Sequence, residues 1–155
     1  MTLALTLLNL AKERGAIIAT AESCTGGMVS AAITDIAGSS AIFDRGFVTY
    51  TNDAKIEMLG VTRHSLDEFG AVSEQVAGEM ASGAVQQSRA TVAVSITGIA
   101  GPGGSDFKPE GRVCFGISTG NQVRTETKEF GPLGRDNVRK AARDYALTLL
   151  IQQLS

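Results

Sequence analysis

From Ala90 to Thr97 the chain reads ATVAVSIT, a nearly unbroken β-rich run of small and β-branched residues, of the kind buried on both faces. A strand buried on both faces has to be covered on both faces, and this requires helices above and below a sheet. The rest of the sequence supplies them. Leu3, Leu7, Leu8 and Leu10 or Ala11 recur at helical spacing and end in Lys12, Glu13, Arg14 and the stop Gly15. AIIATA (16–21) is a short strand, and MVSAAITDIAG (28–38) has helical spacing through Met28, Ala31 or Ala32 and Ile36. SSAIFDRGFVTYT (39–51) carries the β-branched and aromatic residues of a second strand, after which Asn52 or Asp53 is the expected cap of a helix over AKIEMLG. Thr62 and Ser73 are the next expected caps, the second for an alanine-rich helix running to about Ser88. GRVCFGIST and QVRTETKEF form a hairpin around Gly120-Asn121, with Arg124, Glu126 and Lys128 on one face of a protected edge. The last helix has its apolar stripe at Val138, Ala142, Tyr145 and Leu149. Strands alternating with helices, plus a late hairpin, predict a three-layer α/β/α sandwich around a mixed central sheet, one domain over residues 1–155 without linker or repeat.

Composition narrows the function classes. With 14 basic and 16 acidic residues the net charge is −2, so there is no general attraction to nucleic acid or to an anionic membrane, and a small or neutral partner is expected. No apolar run approaches the roughly 20 residues of a bilayer span. The leucine-rich start lacks the basic residues and cleavage site of a signal peptide and reads as a helix. Cys24 and Cys114, far apart and without export signals, fit free thiols in a reducing compartment, so the cytoplasm is the expected location. One histidine, His64, leaves no His-rich metal site and makes any His-based triad depend on that residue alone. No metal is expected.

Chemistry in open α/β sheets gathers where strands end and loops turn toward helices. Three segments have that character: AESCTGG (21–27), TYTNDAK (49–55) and TGIAGPGG (97–104), and they are expected to converge on one site. Gly98, Gly101 and Gly103 make the last a candidate cradle for a phosphate or carbonyl oxygen, although a tight turn after a buried strand explains them equally well. It lacks the lysine of a Walker loop, and Asp106 stands at the final position of a GxGxxG frame from Gly101, so no ATP or NAD cofactor is expected.

Ser23 sits between strand and helix, where its commoner role is a helix cap; as a nucleophile it needs a base. His64 lies in the polar stretch RHSLDEFG, away from any strand end, which leaves lysine. Lys55 falls in the first turn of its helix, where the dipole and partial burial lower an ammonium pKa toward that of a general base; a solvated lysine is the ordinary alternative. Cys24 is a second candidate nucleophile, or else a small buried core residue. Arg135, Arg139 and Arg143 share one face of the last helix and suit a phosphate, or else a solvated stripe paired with Asp136 and Asp144.

Five blocks, AESCTGG, GSSAIFDRGFVTYTNDAK, GAVSEQVA, SITGIAGPGG and GRDNVRKAA, resemble in order and spacing the C-terminal domain of the competence/damage-inducible CinA family, over nearly the whole chain. That domain is known as nicotinamide-nucleotide amidase, also called nicotinamide mononucleotide deamidase. The resemblance implies hydrolysis of the carboxamide of nicotinamide mononucleotide to nicotinate mononucleotide and ammonia, without a cofactor, in pyridine-nucleotide recycling. It implies a Ser-Lys dyad of Ser23 and Lys55, with Tyr50 orienting the lysine or stacking near the cationic ring. Oxyanion donors are expected among the N–H groups of Cys24, Thr25, Gly26 and Gly27, or in the Ser39-Ser40 turn. Arg139 is expected to bind substrate beside Thr25, Gly26, Gly27, Ser39, Ser40 and the glycine loop. The form is expected to be stand-alone, without the N-terminal domain of many relatives, and homo-oligomeric, often dimeric in this family. A non-catalytic nucleotide-binding module and a thiol amidase using Cys24 are the alternatives.

Overall fold

The computed structural model describes residues 1–155. Thr2 accepts from the N–H of Leu5 and opens α1 (Leu3–Arg14), which ends at Gly15 in the left-handed region that a Cβ disfavours. β1 (Ile18–Glu22) is buried along its whole length, and α2 (Met28–Thr34) and β2 (Phe43–Val48) follow. Three helices come next, each opened by a hydroxyl that accepts from a first-turn N–H: α3 (Asn52–Leu59) by Thr51, α4 (Arg63–Phe69) by Thr62 and α5 (Glu74–Gln86) by Ser73. β3 (Val92–Gly98), β4 (Arg112–Ser118), β5 (Val123–Glu129) and α6 (Arg135–Leu154) complete the chain.

Two boundaries differ from the sequence reading. The cap of α3 is Thr51 rather than Asn52 or Asp53, because Thr51 keeps an extended backbone (φ −89°, ψ 162°) while Asn52 is already helical. α2 starts at Met28 as read but ends at Thr34, short of Gly38, and Ser23 does not cap it, because Gly26 (φ 57°) and Gly27 (φ 107°) carry the chain through a left-handed turn first.

The sheet order is β2-β1-β3-β4-β5, with β1, β2 and β3 parallel and β4 and β5 antiparallel. α1, α2 and α6 pack on one face and α3, α4 and α5 on the other, so the expected α/β/α sandwich with a mixed sheet is the observed fold. Its main core lies under α1, α2 and α6 and includes Leu7, Ile18, Ile96, Phe115, Val138 and Leu150; a smaller one under α3 to α5 includes Leu59, Val76 and Met80. β3 is buried on both faces as its composition requires. On β5, Glu126 and Lys128 meet Tyr145 of α6 while Thr125 and Thr127 donate to Glu74 of α5, so this edge is tied down on both sides. No helix is long and apolar enough to cross a membrane.

Candidate active site

β1 ends at Glu22, and alternation sends consecutive side chains to opposite faces. Glu22 turns toward α2, fully buried, and its carboxylate accepts from the N–H groups of Gly27, Val29 and Ser30 and from the hydroxyls of Thr25 and Ser30. These donors replace water around the anion and close the turn that follows the strand. Ser23 faces the other way, toward α3.

Lys55 meets it there. Because Thr51 starts α3 just past the end of β2, a side chain in the first turn reaches back over the end of β1. Lys55 is 1% exposed, and its Nζ lies 3.0 Å from Ser23 Oγ, 3.0 Å from the carbonyl oxygen of Thr49 and 3.2 Å from that of Tyr50. Burial lowers its pKa from 10.5 to about 8. A neutral amine has two N–H donors and one lone pair: the two carbonyls take the donors, and the lone pair is left for the Ser23 hydroxyl.

The three expected segments do come together. Ser23 N–H donates to the Ile96 carbonyl of β3 at 2.9 Å, and Thr49 N–H to the Glu22 carbonyl at 2.8 Å. Arg135 bridges the other two, with Nη1 2.9 Å from the Gly101 carbonyl and Nη2 2.9 Å from the Tyr50 hydroxyl. Glu110 ties the glycine loop down, accepting from Gly103 N–H at 2.7 Å and from Gly134 N–H at 3.0 Å. Arg139 donates to the carbonyls of Cys24 (3.0 Å) and Thr25 (3.2 Å), whereas Lys140 pairs with Asp136 and Arg143 with Asp144. Two of the arginines therefore reach the site and the rest of the stripe is solvated.

Other expected residues are placed differently. Tyr50 touches Lys55 through its carbonyl, while the residue as a whole is 56% exposed and its hydroxyl accepts from Arg135. The Thr25 hydroxyl donates to Glu22, Gly27 N–H does the same, and Gly26 N–H closes onto the Ser23 carbonyl. Gly98 is the last residue of β3. Ser39 and Ser40 form a 3-10 turn before β2 and sit at the far end of the sheet: Ile18 N–H bonds to Ile42, whereas Ser23 follows Glu22, which pairs with Val48. Within one chain they do not meet Ser23. The Cys24 thiol packs in the core under α6, and burial pushes its pKa up to about 12, the reverse of an activated thiolate. His64 is exposed on α4 and pairs with Glu68.

Glu22, Glu110 and Arg135 carry the geometry without having been singled out by residue-level reasoning for these roles. An acidic residue closing a buried strand shortly before a helix was the available signal for Glu22. No cluster of three or more His, Cys, Asp or Glu side chains that could hold a metal ion occurs. A groove of about 690 Å³ lies elsewhere, between α5 and β5 along Glu74, Gly78, Ser82 and Thr125, so chemistry rather than cavity size locates this site.

The family described as CinA C-terminal domain matches residues 1–154. The chain belongs to the CinA C-terminal domain family. Among relatives in this family, the nicotinamide-nucleotide amidohydrolase PncC of Escherichia coli K12 is 55% identical over 143 residues, covering 92% of this chain and 87% of the relative. A CinA-like protein of Chlorobium phaeobacteroides is 52% identical over 126 residues, 79% of this chain but 30% of that longer protein. The crystal structure of the competence/damage inducible protein CihA from Agrobacterium tumefaciens superposes with a TM-score of 0.95 at 49% identity, covering 99% of this chain and 94% of that one. A CinA-superfamily protein from E. coli does so with a TM-score of 0.92 at 36% identity, covering 98% and 90%.

Proposed function

We propose that this CinA-family domain is an amidohydrolase that converts nicotinamide mononucleotide to nicotinate mononucleotide and ammonia with a Ser23–Lys55 dyad, acting in the cytoplasm. The observation that carries the mechanism is the contact between a buried, pKa-lowered amine and a serine hydroxyl at 3.0 Å. The 55% identical relative, a nicotinamide-nucleotide amidohydrolase, supports the substrate.

Neutral Lys55 accepts the proton of Ser23 as Oγ adds to the carboxamide carbon, and the carbonyl π pair moves onto oxygen. The tetrahedral adduct collapses, the C–N bond breaks, and the Lys55 ammonium returns its proton to the departing nitrogen, which leaves as ammonia. A water, deprotonated by Lys55, adds to the nicotinate ester of Ser23; nicotinate mononucleotide leaves and Ser23 regains its proton. The Thr49 and Tyr50 carbonyls hold Lys55 aimed through both half-reactions. The thiol alternative is disfavoured by the raised pKa of Cys24.

Ammonia release from nicotinamide mononucleotide by the purified protein, with chelator present, tests this beside Ser23→Ala and Cys24→Ala. Turnover that survives chelation, survives the cysteine change and is lost in Ser23→Ala is the expected result. A folded protein that binds the nucleotide without releasing ammonia would move the reading to a binding module.

A further inference from the structure

The peptide that joins Cys24 to Thr25 has a carbonyl and an N–H with unequal surroundings. The carbonyl accepts from Arg139 Nε at 3.0 Å, and the next one, of Thr25, accepts from Nη2 at 3.2 Å. The N–H of that peptide, belonging to Thr25, donates to no acceptor in the chain, and neither does the N–H of Cys24. All their neighbours are used: Ser23 on Ile96, Gly26 on Ser23, Gly27 on Glu22 and Met28 on Thr25. Thr25 is fully buried and Cys24 nearly so. Roughly 90% or more of buried backbone N–H groups in folded proteins are paired, so two consecutive free ones directly after the proposed nucleophile call for a partner that the chain does not supply.

Geometry gives their direction. In a trans peptide the C=O and N–H point opposite ways. Arg139 stands on α6, on the α1/α2/α6 side of the sheet, whereas Lys55 holds Ser23 Oγ from the α3 side. Fixing the Cys24 carbonyl to α6 therefore turns the Thr25 N–H toward the side on which Ser23 reacts. A cation on the carbonyl also draws electron density through the peptide and makes its N–H a stronger donor. Gly26 leaves room for the guanidinium, since a Cβ there would stand 3.3 Å from Nη2.

We infer that Arg139 is a positioning residue: it orients and polarises the Cys24–Thr25 peptide so that the N–H groups of Thr25 and Cys24 form the oxyanion hole for the adduct on Ser23. This is a different task from holding the phosphate of the substrate, and it rests on the reading of Ser23 as nucleophile. Arg135, one turn earlier on α6, has its guanidinium on Gly101 and Tyr50 and leaves the peptide to Arg139.

Steady-state kinetics of Arg139→Ala and Arg139→Lys separate the two tasks, using nicotinamide mononucleotide and nicotinamide riboside, which carries the same carboxamide without the phosphate. The expected result for Arg139→Ala is a fall in kcat on the order of 10²-fold on both compounds, with KM within about threefold, because the lost interaction exists only in the transition state. Affinity for pyridine-3-boronic acid, which forms a tetrahedral adduct with a serine hydroxyl, should fall in parallel. Arg139→Lys should regain part of kcat; it also serves as the reading should the alanine variant not fold by circular dichroism. A raised KM for the mononucleotide with kcat retained, and no effect on the riboside or the boronic acid, would overturn the inference in favour of a phosphate contact. Turnover by Ser23→Ala would instead remove the nucleophile reading on which it stands, so the two failures are distinguishable.

Discussion

Lys55 owes its chemistry to where the fold puts it. A four-carbon stem, threaded under the end of β1 and tied to two carbonyls, loses most of the water that stabilises an ammonium, and its pKa falls to about 8. Under the proposed dyad the base must be neutral, so kcat/KM for ammonia release should rise about tenfold per pH unit up to about 8 and level off above it, in a pH–rate profile. Lys55→Arg, which stays charged at every accessible pH, should show no turnover at any point of that profile. Stability is linked to the same proton. The folded pKa lies below the unfolded value of 10.5, so between about 8 and 10.5 the unfolded chain binds a proton that the native chain does not, and stability rises with pH across that window. Urea unfolding of wild type and Lys55→Met at pH 7.5 and pH 10 should therefore show the wild type gaining relative to the variant. In the sequence a single histidine pointed to lysine as the base, Ser23 and Cys24 both stayed open as nucleophiles, and the pairing of Ser23 with Lys55 was what the family resemblance implied. Sequence reasoning missed that Tyr50 supports Lys55 through its carbonyl, because backbone contacts are independent of side-chain identity.

At the scale of elements, the turn between β1 and α2 is organised by a buried carboxylate. Glu22 satisfies three of the N–H groups that a helix start leaves open, where an ordinary helix would use a serine or threonine cap. Glu22→Gln places an amide NH₂ among donors and removes the charge assistance; it should destabilise the protein by about 2 kcal/mol or more in urea unfolding and slow turnover with it. α5 crosses the end of α3 so closely that a Cβ on Gly83 would collide with the Leu59 carbonyl. Gly83→Ala should cost about 1–3 kcal/mol in the same experiment, despite the better helix propensity of alanine. Helix caps at Thr62 and Ser73 were legible because capping is local hydrogen-bond chemistry. The group that caps α2 was not, since the carboxylate comes from the preceding strand. Ser39 and Ser40 were grouped with the site by their block, yet the parallel register of β1 and β2 puts them at the other end of both strands.

For the whole molecule, the decisive long-range event is the return of α6 to β1. It buries Val138, Ala142, Ala146, Leu147, Leu149 and Leu150, and it carries Arg139 to the carbonyls of Cys24 and Thr25, 115 and 114 residues away in sequence. A chain ending at Gly134 loses that apolar face along with both arginines, and should show neither a cooperative thermal transition nor activity. The sequence by itself determined the alternation of strands and helices, the mixed sheet and the layers that cover it, because a strand of small and β-branched residues suits burial on both faces, and period and capping are local. Its single histidine also narrowed the candidate base to lysine, while Ser23 and Cys24 both stayed open as nucleophiles. The tertiary structure alone decided which side chains touch. Ser23 and Lys55 are 32 residues apart and meet because strand alternation and the placement of α3 aim both at one point. Cys24, one residue on, is turned into the core by that alternation, and its burial rather than its intrinsic reactivity fixes its charge state.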